Sequence, residues 1–336
     1  MPMTVNAYAA KKAGAKLEPF QYELDEPGHG EVIVKVTHCG ICHSDLSMLD
    51  NEWGMTQYPF VPGHEVSGTV EKVGDGVTNL KVGDRVGVGW HSGSCRECSQ
   101  CMSGDHNLCP DGEGTIVGRH GGFAERVKAQ AAFAIKLPDG VDPVSAGPLF
   151  CGGVTVFNPI VQFGVKPTDR VGVIGIGGLG HLAIAFLNKW GCEVTAFSSS
   201  PDKEDEAKSM GAHHFMSSKD SDALQKASGS LDFIISTVNV SLDWDGFINC
   251  LKPKGRLHVV GAVLEPIPVG AFSLIMQQRS ISGSPVGSPA TIATMLDFCA
   301  RHGITPQTEV FKMSDVNEAM DHLRAGKARY RIVLEI

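Results

Sequence analysis

The sequence predicts an α/β protein of two domains: a mostly β domain of barrel type, followed by a doubly wound parallel sheet. Three observations predict it. The chain has 336 residues, and at about 150 residues per domain that suggests two. Before about residue 140 the chain reads as short strands broken by Gly, Pro and Asp, with no helix-period pattern of useful length. From Arg170 onward strands and helices alternate, as they do in a parallel sheet with crossover helices.

Segments 31–38, 66–73 and 132–137 are β-branched or alternate apolar with polar residues, and dipeptides such as Gly83-Asp84 supply turns. Asp142-Pro143 predicts a helix start, an N-cap followed by proline at the first helical position. In the second part, 170–174, 193–198, 231–238 and 256–260 read as strands, and 179–190 and 201–210 as helices. The tail from about residue 289 holds two helical patterns and a last strand, 331–336. There is no internal repeat and no low-complexity segment.

Composition narrows the function. Apolar residues make up 42% and charged residues 20%, as in a globular protein with sizeable cores. Net charge is −8 with no Lys/Arg run, so neither nucleic acid nor an anionic membrane is an expected partner. The first residues lack a secretory h-region. The most apolar stretch, 171–187, is interrupted by glycines and His181, whereas a bilayer span needs about 20 mostly apolar residues. A cytoplasmic location is expected. There, ten cysteines point to metal ligation before disulfides.

Cys95, Cys98, Cys101 and Cys109 form C-x2-C-x2-C-x7-C within a Gly/Ser/Asp-rich loop at about 91–112. Four thiolates satisfy tetrahedral Zn²⁺ and leave no open position, so this spacing predicts a structural zinc bracing a loop with little core of its own. Free thiols and disulfides are the competing readings. Cys42, His64 and Cys151 are more widely spaced, and each alone reads as packing or as a hydrogen-bonded core residue. Cys39 and Cys42 form a C-x-x-C that could be a redox pair. It follows a β-rich segment instead of opening a βαβ unit.

Gly175-Ile176-Gly177-Gly178-Leu179-Gly180 follows an apolar strand and opens a helix. In that setting G-x-G-x-x-G predicts a dinucleotide loop with the pyrophosphate at a helix N-terminus. About 20 residues on, an NAD enzyme carries an acid for the ribose 2′-hydroxyl. Ser198 stands there instead, followed by Ser199, Ser200 and, shortly after, Lys203. Hydroxyls and an ammonium suit a 2′-phosphate, which a carboxylate would repel, so NADPH/NADP⁺ is the expected cofactor. Ser200-Pro201 also reads simply as a helix N-cap.

Taken in order, GICHSD, GHE, the four-cysteine lobe, CGG and the glycine loop resemble the zinc-dependent medium-chain alcohol dehydrogenases over nearly the whole chain. NEWG before GHE, and SSS after the second strand of the alternating part, resemble the cinnamyl alcohol dehydrogenase branch and its bacterial NADPH-dependent aldehyde reductases. The resemblance implies a GroES-like catalytic domain (1–151 and 288–336) and a Rossmann cofactor domain (152–287), with the active site in the cleft between them. It implies two Zn²⁺ per chain, one structural and one catalytic on Cys42, His64 and Cys151. Asp45 is then the carboxylate that orients His64, Glu65 sits behind the metal, and Ser44 passes on the proton. The histidine that ends this relay in many relatives is Ser47 here, which leaves water or His43 for the outer step.

The resemblance further implies that Thr155 seats the nicotinamide, that Thr237 and Asn239 lie along the adenosine half, and that Val260 is near the nicotinamide. Ser284 and Val286 would line the cofactor cleft, and Arg331 would reach the cofactor phosphates. Trp53, Met55, Trp90 and Met276 are candidate pocket walls, or ordinary packing. An apolar, aromatic pocket suits aromatic or medium-chain aldehydes, so aldehyde reduction is the expected activity. A polyol or secondary alcohol dehydrogenase, and a non-catalytic NADPH-binding zinc protein, are the alternatives. Cys151 speaks against the first, and the joint presence of Cys42, His64, Cys151 and Ser44 against the second. Segment 267–283, with strand-like ends and exposed apolar residues, resembles the edge through which the family forms homodimers.

Overall fold

The computed structural model describes residues 2–336 and forms two compact units, residues 1–154 with 286–336, and residues 155–285. The first unit opens with the antiparallel pair β1 (Met3–Ala9) and β2 (Glu18–Leu24). Next come β3 (Glu31–Ile41), α1 (His43–Leu49), β4 (Glu65–Val73), β5 (Arg85–Val88), β6 (His91–Gly93), α2 (Ser99–Met102), β7 (Glu113–Gly114), β8 (Arg126–Gln130) and β9 (Ile135–Lys136). Helix α3 (Gly152–Gln162) contains the division between units.

The second unit continues with β10 (Arg170–Ile174), α4 (Gly180–Trp190), β11 (Glu193–Ser198), α5 (Glu204–Ser209), β12 (His214–Ser217) and α6 (Ser221–Lys226). It ends with β13 (Leu231–Ser236), α7 (Trp244–Cys250), β14 (Leu251–Val259), α8 (Ala271–Ile275) and β15 (Ser280–Gly283). The remaining elements, α9 (Pro289–His302), β16 (Thr308–Lys312), α10 (Val316–Arg324) and β17 (Arg331–Glu335), belong to the first unit.

In the first unit, β3 is the strand on which the sheet is built. Its run Val-Ile-Val-Lys-Val favours a pleated strand, and it is paired by β4, β8 and β17, all antiparallel. With neighbours on both edges most of the strand is buried: Val32, Ile33, Val34, Cys39 and Ile41 are at or near zero exposure, while Lys35 is exposed. The register has a consequence at its C-terminal end. Gly40 lies across from Glu65, and Ile41 across from Ile332. The start of β4 and the start of β17 are thereby brought beside Cys42.

The second unit is a parallel sheet in the order β12-β11-β10-β13-β14-β15. The chain moves outward from β10 to β12 and then restarts at β13 on the other side of β10. Ligands bind at the carboxyl ends of strands where the order reverses in this way. Those ends are Ile174 with the glycine loop, and Ser236 with Thr237. Trp244, Phe247, Ile248 and Leu257 fill the core against Phe197 and Ile174.

The structure corrects several expectations. Helix α1 lies where no helix was expected, because it has only 7 residues and buries Asp45 and Ser47 among Leu46, Met48 and Leu49, which interrupts the apolar period. At Asp142-Pro143 no helix forms. The Asp142 carboxylate accepts from Val144 N–H and the Ser145 hydroxyl, a side-chain-capped turn. Segment 132–137 shortens to β9, and 201–210 splits into a 3₁₀ turn, Pro201–Lys203, and α5. Ser200 is the N-cap residue of that turn without a side-chain capping bond. Of segment 267–283, only the C-terminal end is a strand, with α8 before it.

Candidate functional site

The site in the first unit begins where β3 ends. Cys42 precedes α1, and Asp45, in the first turn, takes the Cys42 backbone N–H on Oδ2 at 2.9 Å. A carboxylate is favoured at a helix N-terminus, where the backbone donors have no helical partners. Its other oxygen accepts from Gly63 N–H at 2.9 Å and faces His64 Nδ1 at 3.0 Å. One buried carboxylate therefore fixes the Cys42 backbone, the turn before β4 and the imidazole together. With Nδ1 committed to Asp45, His64 Nε2 points the other way and has no hydrogen-bond partner, although the residue is fully buried.

What it faces is sulfur. Cys42, His64, Glu65 and Cys151 bring their ligand atoms within 4.8 Å of one another, and the Cys42 and Cys151 sulfurs are 3.9 Å apart. These buried groups perturb one another strongly. The bond from Cys151, against the cost of burial, holds the Cys42 thiol well below its usual pKa, and Cys151 is raised in return. Burial alone would depress His64, but the charge of Asp45 and its hydrogen bond raise it well above the usual value. Glu65 is pushed up to about 7 by burial, against the pull of Arg331. An orphaned imidazole nitrogen facing two thiols, with a carboxylate oriented on its far side, fits a tetrahedral metal ion with one open position.

Arg331 lies at the other side of Glu65. It is 4% exposed at the start of β17, and its guanidinium is paired with Glu65. The cross-strand register that places it there has no local sequence signal, so the pairing was not legible beforehand. Ser44 Oγ lies 3.7 Å from Cys42 Sγ, His43 is exposed at the start of α1, and Ser47 is buried. The Trp90 ring stands edge-on to His64 with centroids 5.1 Å apart, and Trp53 packs on Trp90 at 6.0 Å. Met55 is 47% exposed. Met276 belongs to the second unit and is also exposed.

The lobe of Cys95, Cys98, Cys101 and Cys109 is assembled in the same unit. Its sulfurs also lie within 4.8 Å of one another, and Cys98 N–H donates to Cys95 Sγ at 3.3 Å. Backbone donation to sulfur favours thiolate, and it is the leading support among the causes that lower Cys95 to about 7. No open position remains among four sulfurs.

In the second unit the glycine loop joins β10 to α4 at the reversal point. Gly175 has φ +91°, a conformation that side chains resist, and a Cβ on Gly180 would collide with the Gly175 carbonyl. A Cβ on Gly177 would meet nothing within 4 Å. Two of the glycines are thus demanded by the fold, while the bare backbone at Gly177 leaves room for a ligand. Gly178 and Leu179 complete the turn into α4. Ser198 ends β11 and is 6% exposed, with its Oγ accepting from Ser200 N–H at 3.1 Å. Ser199 is exposed, and Lys203 Nζ reaches back to the Ile176 carbonyl at 2.6 Å.

The other cofactor candidates are spread over both units. Thr237 follows β13 and bonds the glycine loop, with Asn239 exposed beyond it. Val260 and Ser284 follow β14 and β15, Thr155 is buried in α3, and Val286 has a positive φ of 28°.

Comparison with known proteins agrees with this geometry. Residues 28–139 match the alcohol dehydrogenase GroES-like domain and residues 178–301 the zinc-binding dehydrogenase domain. The chain belongs to the zinc-binding alcohol dehydrogenase family. Cys₂His is the ligand set known for catalytic zinc in alcohol dehydrogenases. The dehydrogenase is 57% identical to an aldehyde reductase of Synechocystis sp. over 98% of both chains. Among solved structures it resembles a cinnamyl alcohol dehydrogenase of Sorghum bicolor, with TM-score 0.95 and 40% identity over 99% of this chain and 98% of that one. It also resembles CAD from Helicobacter pylori complexed with NADP(H), with TM-score 0.92 and 29% identity over 100% and 99%.

Proposed function

We propose that this dehydrogenase reduces aldehydes to primary alcohols with NADPH, holding one zinc on Cys42, His64 and Cys151 and a second on the four-cysteine lobe. The observation that carries the reading is the unpartnered, buried His64 Nε2 facing the Cys42 and Cys151 sulfurs, with Asp45 fixing the opposite ring nitrogen. When bound, zinc supplies a Lewis acid for the aldehyde oxygen and NADPH supplies the hydride.

The chain's own residues do the rest. Asp45 holds the His64 ring and the Cys42 backbone in one geometry. Ser44, beside Cys42, hands its hydroxyl proton to the product oxygen. His43, exposed at the start of α1, resupplies that proton to Ser44 from solvent, because Ser47 is buried and carries no imidazole. Trp90 and Trp53 make an apolar wall next to His64 that excludes water and favours aromatic or medium-chain aldehydes. At the other cofactor end, Ser198, Ser199, Ser200 and Lys203 stand where an NAD-selective carboxylate would be. The NADP(H) bound to the Helicobacter relative supports that preference. No helix among the described residues is long and apolar enough to cross a membrane, and a cytoplasmic homodimer completes the proposal.

The test is the protein purified with its zinc quantified, following NADPH and NADH absorbance with benzaldehyde or cinnamaldehyde. Rapid NADPH oxidation, slow NADH oxidation and about two zinc per chain are expected, one for each ligand cluster. Faster oxidation of NADH would overturn the 2′-phosphate assignment. Polyol oxidation with inert aldehydes would overturn the substrate class.

A further inference from the structure

Three side chains of the second unit bond four successive backbone carbonyls, Ile174 to Gly177, where β10 runs into the glycine loop. Thr237 Oγ1, just beyond β13, lies 2.9 Å from the Ile174 carbonyl and 3.2 Å from that of Gly175. Lys203 Nζ, from the 3₁₀ turn after β11, donates to the Ile176 carbonyl at 2.6 Å. His181 Nδ1, on α4 and 3% exposed, lies 3.0 Å from the Gly177 carbonyl, which also accepts the His181 backbone N–H at 3.1 Å. These are side chains from three different elements, converging on one short turn.

The peptide group is planar, with its N–H pointing opposite its C=O. Holding the Ile176 and Gly177 carbonyls to one side therefore turns the N–H groups of Gly177 and Gly178 to the other. A Cβ on Gly177 would meet nothing within 4 Å, so the loop has open space beside it for a ligand. Successive N–H groups aimed into one concavity form an anion-binding nest. A loop of glycines has more backbone freedom to lose than any other sequence, so an unrestrained loop would lose that entropy when the ligand bound. Restraint beforehand removes that cost from binding.

We propose that His181, Thr237 and Lys203 are positioning residues that keep this loop in its anion-ready shape, so that Lys203 contributes to binding any dinucleotide, with or without a 2′-phosphate. The proposal rests on the dinucleotide reading above. It separates Lys203 from a purely 2′-phosphate role, in which the ammonium would matter to NADP⁺ alone. It also gives a function to the buried His181. The His181 role requires a donor at Nδ1, and Asn places its side-chain N–H near that position, whereas Gln reaches that of Nε2.

The experiment is calorimetric measurement of Kd for NADP⁺ and for NAD⁺ on the zinc-loaded protein and on its variants. His181→Leu and Thr237→Val should weaken both dinucleotides by the same factor, roughly fivefold for one lost hydrogen bond. His181→Asn and Thr237→Ser should restore wild-type affinity to within about twofold, while His181→Gln should not. Lys203→Met should weaken NAD⁺ severalfold, and NADP⁺ more. The proposal is overturned if Lys203→Met leaves NAD⁺ affinity unchanged, or if Asn, Gln and Leu at position 181 bind alike. Should His181→Leu fail to fold, the Asn and Gln pair decides alone. Wild-type protein that binds neither dinucleotide would overturn the cofactor reading and this inference together. Normal wild-type binding with indifferent variants would overturn only the inference.

Discussion

At the scale of single residues, the glycine loop separates two demands that a motif cannot distinguish. Gly180 is required by packing, since a Cβ there meets the Gly175 carbonyl. Gly177 has open space around it, and its bareness matters only to a ligand. Gly177→Ala should therefore leave the thermal midpoint within a degree or two while weakening NADP⁺ at least tenfold. Gly180→Ala should lower the midpoint by several degrees, as overpacking costs about 1–3 kcal/mol. Calorimetry and a thermal scan on both variants check this. Equal loss of stability in the two would mean that Gly177 too is held by the fold. Residue types with a fixed chemical office were legible from sequence for the same reason: cysteine spacing, glycine spacing and the absence of an acid at Ser198 all report local chemistry. The Arg331–Glu65 pair was not, because it depends on which strands lie beside β3.

At the scale of elements, legibility followed hydrophobic period. Strands β10, β11 and β17, with their unbroken β-branched or apolar runs, could be read almost residue by residue. Helix α1 could not, because it is one short element that buries Asp45 and Ser47 among Leu46, Met48 and Leu49, and Asp45 is turned to Cys42 and His64. Strand β14 holds a comparable polar intrusion. His258 is fully buried there, with Nδ1 facing Ser282 at 3.0 Å and Nε2 facing Ser284 at 2.9 Å, and its ring lies against Phe163 and Phe233. Burial, reinforced by the charge of Arg256, depresses it to about 4.

A histidine whose folded pKa lies below its unfolded value stays neutral in the native state while the unfolded chain takes up a proton. Its stabilising effect is complete above about pH 6.5 and is lost as pH falls toward 4, by roughly 3 kcal/mol. Thermal midpoints measured from pH 7 to pH 4 should fall more steeply in wild type than in His258→Asn. Parallel curves would show that this histidine titrates normally.

At the scale of the whole molecule, the sheet of the second unit ends at β15, whose outer edge has no partner strand among the described residues. An open parallel edge is a template for pairing with another chain and is ordinarily shielded. Beside it in sequence, Leu264, Phe272, Ile275 and Met276 are 65–77% exposed. Clustered apolar exposure of this kind marks an interaction surface, and a two-fold interface would cover both features in each copy with one patch. The homodimer proposed above would use this edge. In sedimentation velocity, wild-type protein should run at twice the chain mass of 35.7 kDa. Phe272→Glu should shift it toward monomer, because a carboxylate cannot be buried there without a partner charge. The second unit should then also lose thermal stability, having lost the cover over its edge strand. A Phe272→Glu protein that remains dimeric at micromolar concentration would place the interface elsewhere and leave the exposed edge of β15 without its proposed function.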